Sequence, residues 1–273
     1  MKILITGATG FIGGNLMNYL SSYHEVYGTT RKAKNSSQYI KVDLLNMNEE
    51  VEFPKGFDVI INCASILATN ENHKDFNLLM DNLTITQAVV KLINYIKPSL
   101  VINLSSIGVY PNIDGVYNEI SHINPSVNFE GLYGLSKFAS EEIFSFFFHN
   151  TQTRIINFRL GQTIGNGMRD DRIYSVMKEE LDRKNIITVY GNGERTSAFL
   201  SIKYLNKTIE KSINNKRISG TFNLTETNIS YLDLAKNIVA DFGDRDSKID
   251  LLSKGTKAKI FIDSDKIKQI LDE

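Results

Sequence analysis

The chain has 273 residues, of which 31 are basic and 31 acidic, so its formal charge is zero. This balance argues against a nucleic-acid binder that works through bulk charge, and a hydrophobic fraction of 42% excludes disorder of the whole chain. A single cysteine, Cys63, cannot form an intramolecular disulfide, and no window approaches the roughly 18 apolar residues of a membrane span. We therefore expect a cytoplasmic protein with neither a nucleic-acid nor a membrane partner.

Short apolar runs alternate with longer amphipathic segments in the first half of the chain. Strands are predicted at 2–6, 25–30, 39–43, 58–62, 100–104 and 154–158, and helices at 11–21, 77–96 and 133–149. The alternation of strand and helix predicts an α/β fold with a Rossmann-type doubly wound parallel sheet.

The pattern changes after Arg159, where several glycines follow in quick succession. We expect residues 1–160 to form a dinucleotide-binding domain and residues 161–273 a smaller α/β substrate-binding lobe, from which some segments are free to return to the first domain. Strands of this lobe are predicted at 187–190, 221–224 and 249–251, and helices at 171–184, 202–213, 230–241 and 264–271. Ser230 is the predicted N-cap of one helix, with Asp233 completing a capping box.

A glycine-rich turn joins the first strand to the first helix with the spacing G-x-x-G-x-x-G. Such a turn lets the backbone approach a pyrophosphate closely and directs the N–H groups of a helix N-terminus at its negative charge. The turn therefore predicts a bound dinucleotide. Its expected cofactor contacts are Gly7, Thr9, Gly10, Phe11, Ile12 and Gly13.

The end of the second strand bears on the choice between the two nicotinamide dinucleotides. A carboxylate there would bind the ribose 2′-hydroxyl of NAD(H), whereas an arginine would accept the 2′-phosphate of NADP(H). The chain has Arg31 at this point and no acid before Asp43. NADP(H) is therefore favoured over NAD(H), although Arg31 also fits a solvated charge at a strand end. Asp43 suits either a contact to the adenine amino group or the start of a turn.

Tyr133 and Lys137 stand four residues apart in a predicted helix, so both side chains lie on one helical face. A neighbouring ammonium and an oxidised nicotinamide would both stabilise the phenolate, which lets a tyrosine exchange a proton with a carbinol oxygen as hydride moves. Ser105 and Ser106 follow a predicted strand, at the carboxyl edge of the sheet where open α/β folds bind ligands. A hydroxyl there is expected to bind the substrate oxygen beside Tyr133.

Over nearly its whole length the chain resembles the extended short-chain dehydrogenase/reductase family, in its NAD-dependent epimerase/dehydratase branch. The matching motifs are the glycine turn, Asp43-Leu44, Cys63-Ala64-Ser65, Asn82, the run Ser-Ser-Ile-Gly-Val-Tyr at 105–110, Tyr133 with Lys137, the segment 191–199, and the run 221–224 followed by 230–238. The resemblance implies a catalytic set of Ser106, Tyr133 and Lys137, in which Lys137 also binds the nicotinamide ribose. It implies further cofactor contacts at Asp43, Leu44, Cys63, Ala64, Ser65 and Asn82.

The chain departs from that pattern in the region expected to bind substrate. Gln162 begins a run that differs from the Asn-Val-Tyr-Gly-Pro stretch of many sugar-nucleotide epimerases, and Ser197 stands where they often have arginine. Arg195, two positions earlier, could replace that arginine. Gln162 and Arg195 are thus expected substrate contacts, together with Ser105 and Ser106.

The family implies a nucleotide sugar as the small-molecule substrate, and the residues imply hydride and proton transfer. The first hypothesis is an NADPH-dependent reductase of a 4-keto-6-deoxyhexose attached to a nucleoside diphosphate. The alternatives are a 4-epimerase with tightly bound NAD and a non-catalytic regulator that senses NADP.

Two further expectations concern metals and assembly. The four histidines lie far apart in sequence, so no metal site is predicted. Family members pair two long helices from each subunit, which implies a homodimer through helices 82–96 and 133–149, with some of Phe144, Phe146, Phe147 and Phe148 at the contact.

Overall fold

The computed structural model describes residues 1–32, 36–47 and 53–272. The strands are β1 (Lys2–Thr6), β2 (Glu25–Thr30), β3 (Tyr39–Lys41), β4 (Val59–Asn62), β5 (Leu100–Ser106), β6 (Gly115–Tyr117), β7 (Arg154–Leu160), β8 (Gln162–Ile164), β9 (Ile186–Tyr190), β10 (Thr196–Ser201), β11 (Gly220–Leu224), β12 (Thr227–Ser230), β13 (Lys248–Leu252) and β14 (Ile260–Ile262). The α-helices are α1 (Phe11–Leu20), α2 (Phe76–Ile96), α3 (Gly131–Phe148), α4 (Ile173–Lys184), α5 (Ile202–Asn214), α6 (Tyr231–Phe242) and α7 (Asp265–Asp272). Within these ranges, no helix has the length and apolar character needed to cross a membrane.

A parallel sheet of seven strands forms the centre of the molecule, in the order β11-β7-β5-β4-β1-β2-β3. The predicted doubly wound sheet is confirmed. Its central strands are nearly continuous apolar runs because both faces are covered. Helices α2 and α3 pack together on one face, and α1, α5 and α7 lie on the other. The order reverses between β1 and β4, where the carboxyl ends of the strands leave a crevice.

The chain after residue 160 contributes both to the main sheet and to a smaller lobe. β11 pairs with β7 along its whole length, so residues 220–224 return to the first sheet, as the sequence analysis allowed. The smaller lobe contains the sheet β12-β10-β8, the pairs β13-β9 and β14-β6, and helices α4 and α6 around a separate apolar core. Ser230 is the N-cap of α6, and its hydroxyl accepts a hydrogen bond from the Asp233 backbone N–H at 3.0 Å, as predicted.

Several boundaries differ from the prediction. β5 continues through Ser105 and Ser106, so these serines end the strand instead of following it, and β3 ends at Lys41. The strands β6, β8, β10, β12 and β14 were not predicted. Three of these five have only three residues, and β6 pairs with a strand more than 140 residues later, so a local apolar pattern had little to detect.

A row of polar side chains crosses the sheet near the carboxyl ends of its strands. Thr6 Oγ1 donates to Asn62 Oδ1 at 2.7 Å, Asn62 Nδ2 donates to Asn103 Oδ1 at 3.0 Å, and Asn103 Nδ2 donates to Asn157 Oδ1 at 3.0 Å. Asn157 Nδ2 extends this row to Thr221 Oγ1 at 3.3 Å. Each partner is also the register partner in the neighbouring strand, so the asparagine row joins β1, β4, β5, β7 and β11 at one height.

We expect Asn103→Leu to lower the free energy of unfolding by about 3 kcal/mol, because it leaves a buried donor of Asn62 and a buried acceptor of Asn157 without partners. Urea denaturation followed by circular dichroism measures the change. Asn94→Leu, on the exposed face of α2, is the matched control and should change the stability by less than about 0.5 kcal/mol. Equal effects of the two substitutions would show that the row contributes nothing specific.

Candidate functional site

A cavity of about 490 Å³ opens where the carboxyl ends of the main sheet face the smaller lobe. This volume suits a small organic ligand. The lining comes from both parts of the chain and includes Ser106, Tyr133, Gln162, Arg172 and Arg195. Two of the three predicted catalytic residues, Ser106 and Tyr133, thus line the cavity together with the predicted substrate contacts Ser105, Gln162 and Arg195.

The glycine turn fits a bound pyrophosphate. Gly7 has φ +65°, and a Cβ there would lie 2.9 Å from the Cα of Ala64, while a Cβ on Gly13 would lie 2.3 Å from the Gly7 carbonyl oxygen. A side chain at either position would clash with the backbone, so both positions require glycine. Helix α1 begins at Phe11, so its free N–H groups face the turn, and Phe11 and Ile12 line the cavity. A dinucleotide on this turn would thus extend toward the cavity.

Arg31 and Asp43 lie close enough for their charges to interact at the ends of β2 and β3. Asp43 Oδ1 accepts from the Leu45 N–H at 3.1 Å and Oδ2 from Asn46 Nδ2 at 3.0 Å. These hydrogen bonds lower the pKa of Asp43, and the nearby Arg31 lowers it further. Asp43 therefore starts a turn, and its contact to adenine stays a prediction. Arg31 is exposed, whereas Leu44 is buried.

The segment after β4 is held in place by Asn82 of α2. Asn82 Oδ1 accepts from the Ile66 N–H at 2.9 Å and from Ser65 Oγ at 3.0 Å, and its Nδ2 donates to the Ile66 carbonyl at 2.9 Å. The predicted contribution of Asn82 to cofactor binding is thus an indirect one in this geometry, through the shape of the loop. Cys63 begins the segment, and burial raises the pKa of its thiol to about 12, which is unsuited to a nucleophile.

Tyr133 and Lys137 lie in the first turns of α3, on its buried face, as predicted. The ammonium of Lys137 donates from Nζ to the Leu104 carbonyl at 2.9 Å and lies 5.6 Å from the centre of the Tyr133 ring. The helix approaches the turn after β5 closely, because a Cβ on Gly134 would lie 2.1 Å from the Gly108 carbonyl oxygen. Glycine at this position thus allows the tyrosine to reach the strand ends.

The protonation of this pair differs from the expectation that Lys137 lowers the phenol pKa. Burial and the negative charge of Glu130 raise the pKa of Tyr133, and they outweigh the opposing effects of a hydrogen bond with Ser65 and the charge of Arg172. Burial lowers the pKa of Lys137 to about 8, against the charge of Glu141. A phenol is already protonated at neutral pH at its ordinary pKa, and these surroundings make Tyr133 a weaker acid still, so its role as a proton donor stays a prediction.

The two adjacent serines of β5 have different partners. Both serines line the cavity, and the Oγ of Ser106 accepts from the Gly108 N–H at 3.0 Å. Ser105 is buried and donates to the carboxylate of Glu141, which also forms an ion pair with Arg159 at 2.7 Å. A direct role of Ser106 at the reacting oxygen fits this geometry, whereas a substrate contact of Ser105 stays a prediction.

The predicted substrate contacts from the second lobe line the cavity. Gln162 donates from Nε2 to Ser197 Oγ at 2.8 Å. Arg195 donates from Nη2 to Asn112 Oδ1 at 3.3 Å, and its guanidinium lies 5.5 Å from the centre of the Tyr231 ring. Within the described ranges, the buried Nε of Arg195 has no hydrogen-bond partner. This cation is therefore available to an anionic ligand.

Sequence reasoning missed the charged side chains that surround Tyr133. Glu130 lies one helical turn before it and pairs with Arg172, and Glu141 lies two turns after it and pairs with Arg159. The spacing of Glu141 from Tyr133 and Lys137 was a detectable signal, because positions four residues apart share a helical face. Arg172 gave no such signal, since it comes from a distant loop.

Comparisons with known proteins agree with this architecture. The model of the NAD dependent epimerase/dehydratase family matches residues 3–224. An epimerase family protein of Staphylococcus aureus (strain N315) is 26% identical over 236 residues, which cover 82% of this chain and 74% of that protein.

Solved structures resemble the chain in fold. The UDP-N-acetylglucosamine 4-epimerase from Methanobrevibacter ruminantium M1 superposes with a TM-score of 0.85 at 17% identity, covering 98% of this chain and 91% of that one. The UDP-glucuronic acid 4-epimerase from Bacillus cereus, in complex with NAD, gives 0.80 at 23% identity, covering 100% and 92%. At these identities the likeness establishes the fold alone.

Proposed function

The chain belongs to the NAD dependent epimerase/dehydratase family, and on that premise we propose that it is a nicotinamide-dependent reductase of a keto group on a nucleoside-diphosphate sugar, of the 4-keto-6-deoxyhexose type. The observation that carries the proposal is the buried Tyr133 beside Lys137 and Ser106, in a cavity onto which the glycine turn opens.

The residues of the site divide the work of carbonyl reduction. The cofactor, when bound at the glycine turn, supplies the hydride. Ser106 and Tyr133 hold the substrate carbonyl oxygen by hydrogen bonds, and Tyr133 delivers its phenolic proton to that oxygen as negative charge develops there. Lys137, held by the Leu104 carbonyl, stabilises the phenolate that remains.

Arg195 is suited to the diphosphate of such a substrate. The other cations of the cavity, Arg169 and Arg172, have acidic partners, whereas the Nε of Arg195 is buried and without a partner among the described residues. A diphosphate oxygen would satisfy this donor with a charge-assisted hydrogen bond. The Gln162–Ser197 pair offers further polar contacts at the place where many family members have an arginine.

A 4-epimerase is the second candidate, because the two solved relatives described above are named as 4-epimerases. The same residues serve it, with hydride taken from the sugar and returned to the opposite face. A non-catalytic regulator is disfavoured, since Ser106, Tyr133 and Lys137 are all present and all lie at one edge of the sheet.

One assay separates these functions. We expect the protein to oxidise NADPH when a nucleoside-diphosphate 4-keto-6-deoxyhexose is added, which is measured by absorbance at the nicotinamide band. Tyr133→Phe should lower kcat at least about 100-fold and leave cofactor affinity nearly unchanged. Interconversion of the sugars without net NADPH consumption would identify an epimerase. A Tyr133→Phe variant that keeps most of its turnover would remove this residue from the mechanism.

For the cofactor we propose a preference for NADP(H), although the family is named for NAD and the Bacillus cereus relative holds NAD. The support is Arg31 directly after β2, where a 2′-phosphate would meet a cation instead of a carboxylate. Arg31→Ala should weaken NADPH binding about 10-fold and leave NADH binding unchanged, as measured by fluorescence titration. Equal dissociation constants for the two cofactors in the unmutated protein would contradict the proposal.

We also propose that the chain forms a homodimer through α2 and α3. These helices pack together, and their outer surface exposes Phe76, Met80, Leu135, Phe146 and Phe147, whereas Phe144 and Phe148 are buried. Exposed apolar side chains on two helices that pack together are suited to a second copy, which would present the same residues.

Light scattering tests the assembly. We expect twice the chain mass of 30.8 kDa for the unmutated protein and the single-chain mass for Phe146→Glu, which places a charge on this surface. Ile120→Glu, at an equally exposed apolar residue away from α2 and α3, is the control and should leave the dimer intact. A monomeric unmutated protein would contradict the dimer without affecting the chemistry.

A further inference from the structure

Two charged side chains that the proposed mechanism does not use flank Tyr133. Glu130 directly precedes α3, and Arg172 directly precedes α4. Arg172 Nη1 donates to Glu130 Oε1 at 2.7 Å, and the two side chains are 32% and 23% exposed, respectively. Both line the cavity together with Ser106 and Tyr133. The ion pair thus joins the first domain to the smaller lobe beside the reacting groups.

The second oxygen of Glu130 lies on the Ser106 side of the pair. Oε2 is 3.9 Å from the position that a Cβ would occupy on Gly108, and Gly108 donates its N–H to Ser106 Oγ. Both charges also reach the phenol. The negative charge of Glu130 raises the pKa of Tyr133, and the positive charge of Arg172 lowers it. A ligand group beside the reacting carbon would experience the same two charges.

A second ion pair lies next to the first, so the two positive and two negative charges at this end of the cavity balance. Arg169 pairs with Asp171, and Arg172 Nε lies 4.0 Å from Asp171 Oδ1. Arg169 Nη1 also donates to the Ala68 carbonyl at 3.5 Å. Two guanidinium groups therefore face two carboxylates, and neither arginine carries uncompensated positive charge into the cavity.

We propose that Glu130 is a specificity-determining residue, which makes the site select a sugar with uncharged substituents beside the reacting carbon and reject a sugar acid. The inference rests on the proposed function and specifies its substrate class. A hydroxyl can donate to the Glu130 carboxylate, whereas a sugar carboxylate would be repelled by Glu130 and would have to compete with it for Arg172. Arg195 has no acidic partner among the described residues, so it is left to bind the diphosphate that both kinds of sugar share.

The proposal is tested by the binding of two nucleotide sugars, one with a neutral hydroxymethyl group and the other with a carboxylate at the same carbon. UDP-glucose and UDP-glucuronic acid are titrated calorimetrically into the full chain with NADPH present. The unmutated protein should bind UDP-glucose at least about 10-fold more tightly, and Glu130→Gln, which removes the negative charge and frees Arg172, should shift the ratio at least about 10-fold toward UDP-glucuronic acid. Glu142→Gln, at an exposed acid of the same helix, is the matched control and should leave the ratio unchanged.

Arg172→Gln gives a second and opposite test, because it leaves Glu130 without its cation. Its binding of UDP-glucuronic acid should weaken further while UDP-glucose binding changes less. An unchanged ratio in Glu130→Gln, or an unmutated protein that prefers UDP-glucuronic acid, would overturn the selection by Glu130 and leave the proposed reductase intact. Failure of the unmutated protein to bind either probe would overturn the inference and exclude uridine as the nucleoside, while the keto-sugar assay above remains the test of the proposed reductase. Thermal unfolding of each variant confirms that the compared proteins are folded.

Discussion

The asparagine row across the main sheet is the interaction on which the site depends. Asn62, Asn103 and Asn157 each form a hydrogen bond to the next strand through their side-chain amides. A shift in strand register would break these buried hydrogen bonds, so they hold the parallel strands in one register. Their register places the ends of β1, β4, β5 and β7 at one height. The glycine turn follows β1, the loop with Cys63 follows β4, and Ser106 ends β5, so the row aligns the elements from which the cavity is built.

A buried ion pair links this sheet to α3. Arg159 of β7 and Glu141 of α3 are both almost fully buried, and removal of either partner would leave an uncompensated charge. Glu141 also accepts from Ser105, and Arg159 donates to the hydroxyl of Tyr110 at 2.8 Å. Tyr110 in turn donates to Asn223 of β11 at 2.8 Å. The orientation of α3, and with it that of Tyr133, is therefore coupled to β7 and, through Tyr110, to β11.

Hydrophobic patterns in the sequence predicted those strands and helices that are long enough to show a regular spacing of apolar residues. The central strands and α2 were found nearly to their ends because burial on both sheet faces, or along one helical face, leaves a continuous signal. The short strands β6 and β14 were missed, since three residues carry too little pattern and their pairing joins distant parts of the chain. The same limit applies to the site: Tyr133 and Lys137 share a helix and were predicted together, whereas Arg172 meets Glu130 only through folding.

The sequence by itself determined the sheet class, the glycine turn and the tyrosine–lysine pair, because each is a local arrangement in which spacing sets geometry. Only the tertiary structure decided the surroundings that shift the pKa of Tyr133 and the partner of Ser105. Burial and Glu130 raise the pKa of the phenol against the charge of Arg172, and the hydroxyl of Ser105 donates to Glu141. Such properties depend on desolvation and on charges brought together from separate elements, and neither quantity is present in the chain until it has folded.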